Sequence, residues 1–376
     1  MIFLENGPDA LPAVFDDALS VIRADGPEEV DNALETLDRA RRGGKWLAGF
    51  ASYELGYALE PKLAGLMPSD RPQPLLQFGV YDAPRAPDTF LAQAAHEAGG
   101  AGLTAATAGW QAADHAAAMQ RILNYIAAGD IYQANLTMPM VAKASGTAAG
   151  LYAALRARQP VSYGAFVDFP GLPTLLSRSP ELFFATHGDG RIETHPMKGT
   201  APRASNPAHD AALKLELQTS IKNRAENLMI VDLLRNDLSR ISKPGSVKVP
   251  QLFAIESFST VHQMVSHVTA ELLGEPAPST ILRALFPCGS ITGAPKIRAM
   301  EIIRELEIGP RGVYCGAIGW MGPDGASCFN VAIRTITLRD GVATFGVGGG
   351  IVADSTPDGE YEEALWKARF ALLTPN

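Results

Sequence analysis

The chain has 376 residues, 47% of them hydrophobic and 19% charged, a balance that fits one large packed core or two smaller ones and excludes a fibrous or disordered protein. Its formal net charge of −8, with the basic residues dispersed, argues against nucleic acid as a partner. Three cysteines without CxxC spacing, no basic-then-apolar leader and no uncharged apolar run of membrane length point to a cytoplasmic protein with reduced thiols and no membrane partner.

Over the first hundred residues short apolar runs alternate with prolines. WLAGFASYELGYALEPKL, Trp46 to Leu63, predicts a strand entering a helix, and the Ala/Gly-rich residues 92–109 predict a surface loop or linker. Met119, Ile122, Leu123 and Ile126 recur at helical spacing, Gly129 supplies a stop, and IYQANLTMPMVAKA reads as a long strand. Gln133 in that strand reads by default as an ordinary strand amide.

From Tyr163 to Arg203 short β-rich runs separated by Gly and Pro predict antiparallel strands. Glu181, behind Pro180 and between apolar strand residues, and Lys198, in a tight Pro196–Thr200 turn, stand out. Burial raises a carboxyl pKa and lowers an amine pKa, which suits an acid and a nucleophile; spacing alone favours a solvated turn lysine at Lys198. Thr219 to Ile241 predicts a long helix with Leu228, Val231, Leu234 and Leu238 inward and Glu226 among them. A proline-bounded strand region and FSTVHQMVSHVTAEL come next. Gly289-Ser290-Ile291-Thr292-Gly293 precedes a helix opened by Pro295, an arrangement that offers N–H groups and hydroxyls to an anion but lacks the spacing of a nucleotide loop.

GVYCGAIGWM and SCFNVAIRTITL read as two more strands. Arg334 in the second needs a carboxylate partner from protein or ligand, because an unpaired guanidinium in an apolar strand is costly. Near the C-terminus, GVGGGIVADSTPDGEYEEALWKA begins with a strand-like run ending in Gly346, Gly348, Gly349 and Gly350, whose bare backbone suits an anion. Ser355 or Thr356 then caps a helix with Pro357 in its first turn. Glu360 and Glu363 fall on one helical face, where they fit either a dipole-complementing pair or two metal carboxylates.

Seven motifs in order, SRSPELFF, HPMKGTAPR, NRAENLMIVDLLRNDLSR, FPCGSITGAPKIRAMEIIRELE, RGVYCGAIGWM, FNVAIRTI and FGVGGGIVADSTPDGEYEEA, closely resemble the chorismate-utilising enzymes. The match runs from about Tyr125 to the C-terminus and is weaker in the N-terminal part, mainly at FASYELGYALEP. The resemblance implies an α+β fold like that of anthranilate synthase component I, with two large antiparallel sheets packed as a sandwich and helices outside. Residues 1–105 would be a weakly matched N-terminal portion, and 106–376 the chorismate-binding catalytic region, intertwined with it as one domain.

The resemblance also implies chorismate as substrate and Mg²⁺ as cofactor, with Glu226, Glu360 and Glu363 as metal carboxylates, directly or through water. Arg334 and Tyr314 match positions that hold the enolpyruvyl carboxylate, helped by Gly348, Gly349 and Gly350. Glu181 matches the general acid, and Gly199, Thr200 and Ser290 line the ring. Relatives that add water carry a Lys where this chain has Gln133, so isochorismate and salicylate formation are disfavoured. Lys198 in PMKGT matches the branch that aminates chorismate to 4-amino-4-deoxychorismate, on the para-aminobenzoate route of folate synthesis, through a covalent lysine adduct. Gln263 stands where many relatives have His. No Cys sits in a nucleophile-elbow setting, so ammonia is expected from a separate glutamine amidotransferase subunit, and no lyase region is recognised. The alternatives are the anthranilate-forming branch and a non-catalytic subunit that binds chorismate or tryptophan.

Overall fold

The computed structural model describes residues 1–258 and 261–373. The chain opens with β1 (Ile2–Leu4), β2 (Ala13–Phe15) and β3 (Ser20–Ala24), then α1 (Val30–Arg42), β4 (Trp46–Ala51), α2 (Leu55–Leu59) and β5 (Leu76–Tyr81). Next come α3 (Asp88–Glu97), β6 (Gly102–Leu103), β7 (Thr107–Ala108), α4 (Ala112–Ala127), β8 (Gln133–Ser145) and α5 (Ala148–Arg158). Five strands follow, β9 (Tyr163–Val167), β10 (Thr174–Ser179), β11 (Leu182–Thr186), β12 (Arg191–Thr194) and β13 (Met197–Pro202), with helices α6 (Pro207–Thr219) and α7 (Ile221–Ser239) after them. The remainder holds β14 (Lys248–Ser257), β15 (Val261–Glu271), α8 (Pro278–Leu285), β16 (Gly293–Ala294), α9 (Lys296–Leu306), β17 (Ala317–Met321), β18 (Ser327–Val331), β19 (Thr335–Arg339), β20 (Val342–Ile351) and α10 (Pro357–Lys367). Ser259 and Thr260 of the expected FSTVHQ run lie outside the described residues.

One antiparallel sheet runs β16-β8-β20-β19-β10-β9-β1-β2 with β6 and β7 added on β8; the other runs β13-β15-β12-β11-β18-β17-β4-β5-β3 with β14 added on β15. Their facing sides share one apolar layer that includes Ile2, Phe15, Phe50, Ile318 and Trp320. The outer face of the second sheet is covered by α1, α7 and α8 through Leu34, Leu37, Leu234, Leu238, Ile281 and Leu285. The outer face of the first is covered by α3, α4, α5 and α10 through Phe90, Met119, Ile122, Leu151 and Ala364. Each such Leu, Ile, Phe or Met side chain, fully buried, contributes about 1.5–3 kcal/mol. The architecture is therefore an α+β sandwich with helices outside.

Residues 92–109 are not a linker. Ala-rich sequence favours helix, and Phe90 and Ala94, four apart, bury one face of α3, while β6 and β7 hydrogen-bond to β8. The 219–241 helix begins at Ser220, whose hydroxyl accepts from the Asn223 amide at 3.3 Å. Its buried stripe runs through Asn227, Ile230, Val231, Leu234 and Leu238, leaving Leu228 exposed on the flank rather than inward.

SCFNVAIRTITL is two strands, not one. β18 belongs to the second sheet and β19 to the first, and the chain bends between them at Arg334, which adopts φ +50°. A second passage between the sheets joins β10 to β11 at Pro180–Glu181. The two passages lie side by side: the Arg178 amide donates to the Arg334 carbonyl at 2.9 Å, and the Val331 amide donates to the Glu181 carbonyl at 3.1 Å.

Candidate active site

At this end of the sandwich a cleft of ≈ 660 Å³ opens between the passages, β13, β20, α7 and α10. Glu181 and Arg334 enter it from the two passages, Lys198 and Thr200 from β13, Ser290 from the turn before β16, and Tyr314 from the segment before β17. Glu181 is 4% exposed and its Oε1 has no hydrogen-bond partner. Burial pushes its carboxyl up to about 7, with the Ser290 hydroxyl and the Lys198 charge pulling the other way. Lys198 is not a solvated turn lysine: it lies in β13 and its amine is held in the cleft. Burial first, and the Lys367 charge next, lower its pKa against the opposing pull of Glu226, Glu181 and Glu363. A carboxyl that keeps its proton to about pH 7 and an amine whose proton is held less tightly than usual are the pairing an acid and a nucleophile need in one space.

Arg334 makes no ion pair among the described residues. Burial lowers its pKa and the Glu181 carboxyl opposes this, so the guanidinium expected to need a carboxylate faces the cleft. The glycine run does not form a loop beyond a strand end. Gly346 to Gly350 lie within β20, paired with β8, and what they supply is missing side chains. A Cβ on Gly346 would stand 2.2 Å from the Tyr314 ring, and one on Gly350 would stand 2.8 Å from the Gln133 amide nitrogen and 3.2 Å from Lys198 Nζ. Gly348 offers its carbonyl to Lys367 Nζ at 2.8 Å. Gly349 turns the other way, where a Cβ would meet Glu360 Oε2 at 3.0 Å. Gln133 is more than a strand amide: it is fully buried, and neither end of its amide has a hydrogen-bond partner, a state that calls for a ligand or water.

Glu226 from α7 and Glu360 and Glu363 from α10 line the same cleft. Glu360 accepts from the Ser355 hydroxyl at 2.6 Å, and the half-exposed Glu363 pairs with Lys367 at 2.7 Å. Burial, joined by the Glu360 charge, raises the Glu226 carboxyl, and burial, joined by the Glu363 charge, raises Glu360. Hard oxygen donors that repel one another fit Mg²⁺, which keeps several waters. Among the described residues no three acidic, imidazole or thiol groups converge to ligate a metal unaided, so water and substrate oxygens would complete the shell.

Sequence reading missed Lys367, because a Glu363/Lys367 pair four apart looks like surface decoration, although that amine reaches both β20 and the cleft. It also missed a polar network behind the cleft lining. The Arg311 guanidinium donates to Glu307 at 2.7 and 2.9 Å and to the carbonyls of Ile291 and Asn135 at 2.9 and 2.7 Å. Glu54 of the SYELGYALEP stretch accepts from the Arg311 and Gly312 amides at 2.7 and 3.1 Å. This network joins the N-terminal part to the segments that carry Ser290 and Tyr314.

The sequence model of a family described as chorismate binding enzyme matches residues 2–373. The aminodeoxychorismate synthase of Streptomyces pristinaespiralis is 50% identical over 221 residues, 59% of this chain and 31% of that protein. Aminodeoxychorismate synthase component 1 of Klebsiella aerogenes is 43% identical over 297 residues, 78% of this chain and 65% of that protein. The chain thus spans about a third of the first relative and somewhat under two thirds of the second. Among solved structures, anthranilate synthase component I from Streptococcus pneumoniae superposes with a TM-score of 0.80 at 26% identity, covering 95% of this chain and 91% of that one.

Proposed function

The chain belongs to the chorismate-binding enzyme family, and from that premise we propose that it aminates chorismate to 4-amino-4-deoxychorismate. The observation that carries this reading is the half-buried Lys198 amine, lining the cleft with its pKa lowered, in the same space as a Glu181 carboxyl that burial holds protonated to about pH 7. Two relatives described above, whose names are those of aminodeoxychorismate synthases, support it.

In this reading Arg334 and Tyr314 hold the enolpyruvyl carboxylate, a planar anion suited to a guanidinium fork. The ring carboxylate lies toward Glu226, Glu360 and Glu363, where Mg²⁺, when bound, supplies the positive charge that lets two sets of anions approach. The neutral Lys198 amine attacks C2 of the ring, the ring double bonds shift, and the C4–O bond breaks. Glu181 gives its proton to the departing oxygen, which leaves as water. Ammonia then attacks C4, the double bonds shift back, and the C2–N bond to Lys198 breaks with return of its electron pair to the amine. The ammonium proton of the product returns to the Glu181 carboxylate.

Ammonia comes, in this proposal, from a separate glutamine amidotransferase subunit; that the Klebsiella relative is called a component 1 supports a second component. A second reading, formation of anthranilate, is favoured by the likeness to the Streptococcus structure. Incubation with chorismate, Mg²⁺ and an ammonium salt separates the readings. The expected product carries the amino group at C4 and keeps the enolpyruvyl group; fluorescent anthranilate with released pyruvate as the main product overturns the assignment, and no turnover at all indicates a binding subunit.

A further inference from the structure

β13 and β15 do not pair evenly. Met197 faces Val265 and Thr200 faces Gln263, so β13 holds one residue more than its partner, and the bulge falls on Lys198 and Gly199, the latter at φ +87°. A bulge re-aims a side chain and leaves ladder groups unpaired. Here a side chain of the facing strand takes up one such group and grips the next residue: Gln263 Nε2 donates to the Gly199 backbone carbonyl at 2.9 Å, and Gln263 Oε1 accepts from the Thr200 side-chain hydroxyl at 2.9 Å. Asn223 closes the other side. A Cβ on Gly199 would stand 2.9 Å from Asn223 Oδ1, and Asn223 Nδ2 donates to the Ser220 hydroxyl at 3.0 Å.

We propose that Gln263 is the positioning residue for Lys198: its amide spans the bulge and fixes the direction in which the amine enters the cleft. The proposal rests on the reading of Lys198 as the nucleophile. An amide suits the task because it carries a donor and an acceptor on one carbon, both uncharged. A carboxylate would face the Gly199 carbonyl with a second acceptor, and the two nitrogens of an imidazole point apart. Without the clamp the bulge loses two hydrogen bonds, and the amine is free to swing toward the carboxylates of Glu226 and Glu363, whose charge favours its protonated form.

The test is Gln263→Met, equal in length but without either hydrogen bond, with Gln263→Asn, one methylene too short to reach both partners, as a second variant should the first not fold. Acetylation of Lys198 by acetic anhydride, read by peptide mass spectrometry across a pH series in the free protein, reports the amine without chorismate. The midpoint for Lys198 should rise by about one pH unit in either variant, while other lysines stay unchanged. With chorismate and ammonium, kcat should fall by about 10- to 100-fold with KM altered much less, as for a misaimed reacting group. An unshifted Lys198 midpoint in a variant that melts like the parent overturns the proposal, as does a raised KM at unchanged kcat, which would make Gln263 a substrate contact. The acetylation arm stands whatever the parent makes from chorismate, so failure of the amination reading shows in the parent's product and failure of this proposal in the variants' titration.

Discussion

The backbone amide of Arg178 donates to the carbonyl of Arg334 at 2.9 Å, tying together the two segments by which the chain passes from one sheet to the other. The acid candidate Glu181 follows Arg178 by three residues, and the Arg334 guanidinium springs from the second passage. Two reacting-site side chains are thus fixed by one backbone pairing between rigid strands, the kind of support that holds a site to within a fraction of an ångström. Arg334 holds φ +50° at a cost on the order of 1 kcal/mol for a bulky residue, which places strain at the position proposed to meet a ligand carboxylate.

Arg334→Lys keeps the charge and loses the planar fork. KM for chorismate should rise by about 10- to 100-fold, the worth of one or two charge-assisted hydrogen bonds, with the melting temperature close to the parent's. Steady-state kinetics beside a thermal melt checks this; an unchanged KM would remove Arg334 from the carboxylate site.

Glu181 offers a stability test with a definite sign. Burial raises its folded-state carboxyl to about 7 from an ordinary 4.5, so the folded state binds the extra proton between those values. Its contribution is fully present below about pH 4.5 and is lost as pH rises through about 7. Gln has no proton to lose, so Glu181→Gln should gain stability relative to the parent on the alkaline side, by ~3 kcal/mol in the limit, and none in acid. Turnover should drop by about 10²- to 10⁴-fold. Denaturant melts at about pH 4.5 and 8.5 decide the matter: equal differences at both would show the carboxyl to be ordinary.

How much of this was legible in the sequence depended on how local the signal was. Glu181, Lys198 and Ser290 stood out because a charged or hydroxyl residue broke an apolar or Gly/Pro-rich run, and all three line one cleft. The bend at Arg334 was hidden because β18 and β19 are both apolar and nothing between them is Gly or Pro. The glycines of β20 looked like an anion loop, since sequence shows that a side chain is absent but not which neighbour fills the space, here Tyr314 at Gly346 and Glu360 at Gly349. Residues 92–109 looked like a linker because Ala-rich helix and Ala/Gly-rich loop share a composition, and only the burial of Phe90 and Ala94 tells them apart.

Gly346→Ala should damage the site through packing alone. The added Cβ would lie 2.2 Å from Tyr314 Cδ1 and Cε1, a distance no real contact tolerates, so ring or strand must move. Overpacking of this kind costs about 1–3 kcal/mol, and KM for chorismate should rise with it. A variant with parental melting temperature and KM would mean that Tyr314 moves without cost and does not set the carboxylate site.

The acidic cluster predicts metal dependence. Excess EDTA should abolish turnover and Mg²⁺ restore it, and Glu360→Gln should raise the Mg²⁺ concentration for half-maximal activity by at least about tenfold, as loss of one carboxylate among few protein ligands implies. Calorimetric titration of the unliganded protein with Mg²⁺ gives a readout apart from turnover. Full activity in excess chelator would remove the metal from the proposal.

Lys198→Ala tests the covalent step itself. Replacing the C4 hydroxyl by an amine at the same carbon is eased by two successive allylic displacements, and the first needs a neutral amine near C2. An unperturbed lysine, with a pKa near 10.4, would be neutral near pH 7 only at a cost of about 4–5 kcal/mol; the burial of Lys198 and its proximity to Lys367 reduce that cost. With the amine removed, C2 is open to ammonia directly. The variant should therefore lose most of the 4-amino product, and its residual turnover should shift to a 2-amino adduct, both identified by mass and retention against the parent. In the parent, acid quench during turnover should trap chorismate's ring on Lys198, seen by peptide mass spectrometry and absent from the variant. Formation of 4-amino-4-deoxychorismate by Lys198→Ala at the parental rate would show that ammonia reaches C4 without help from the enzyme's amine, and would leave Lys198 as a charge that merely sits beside the reaction.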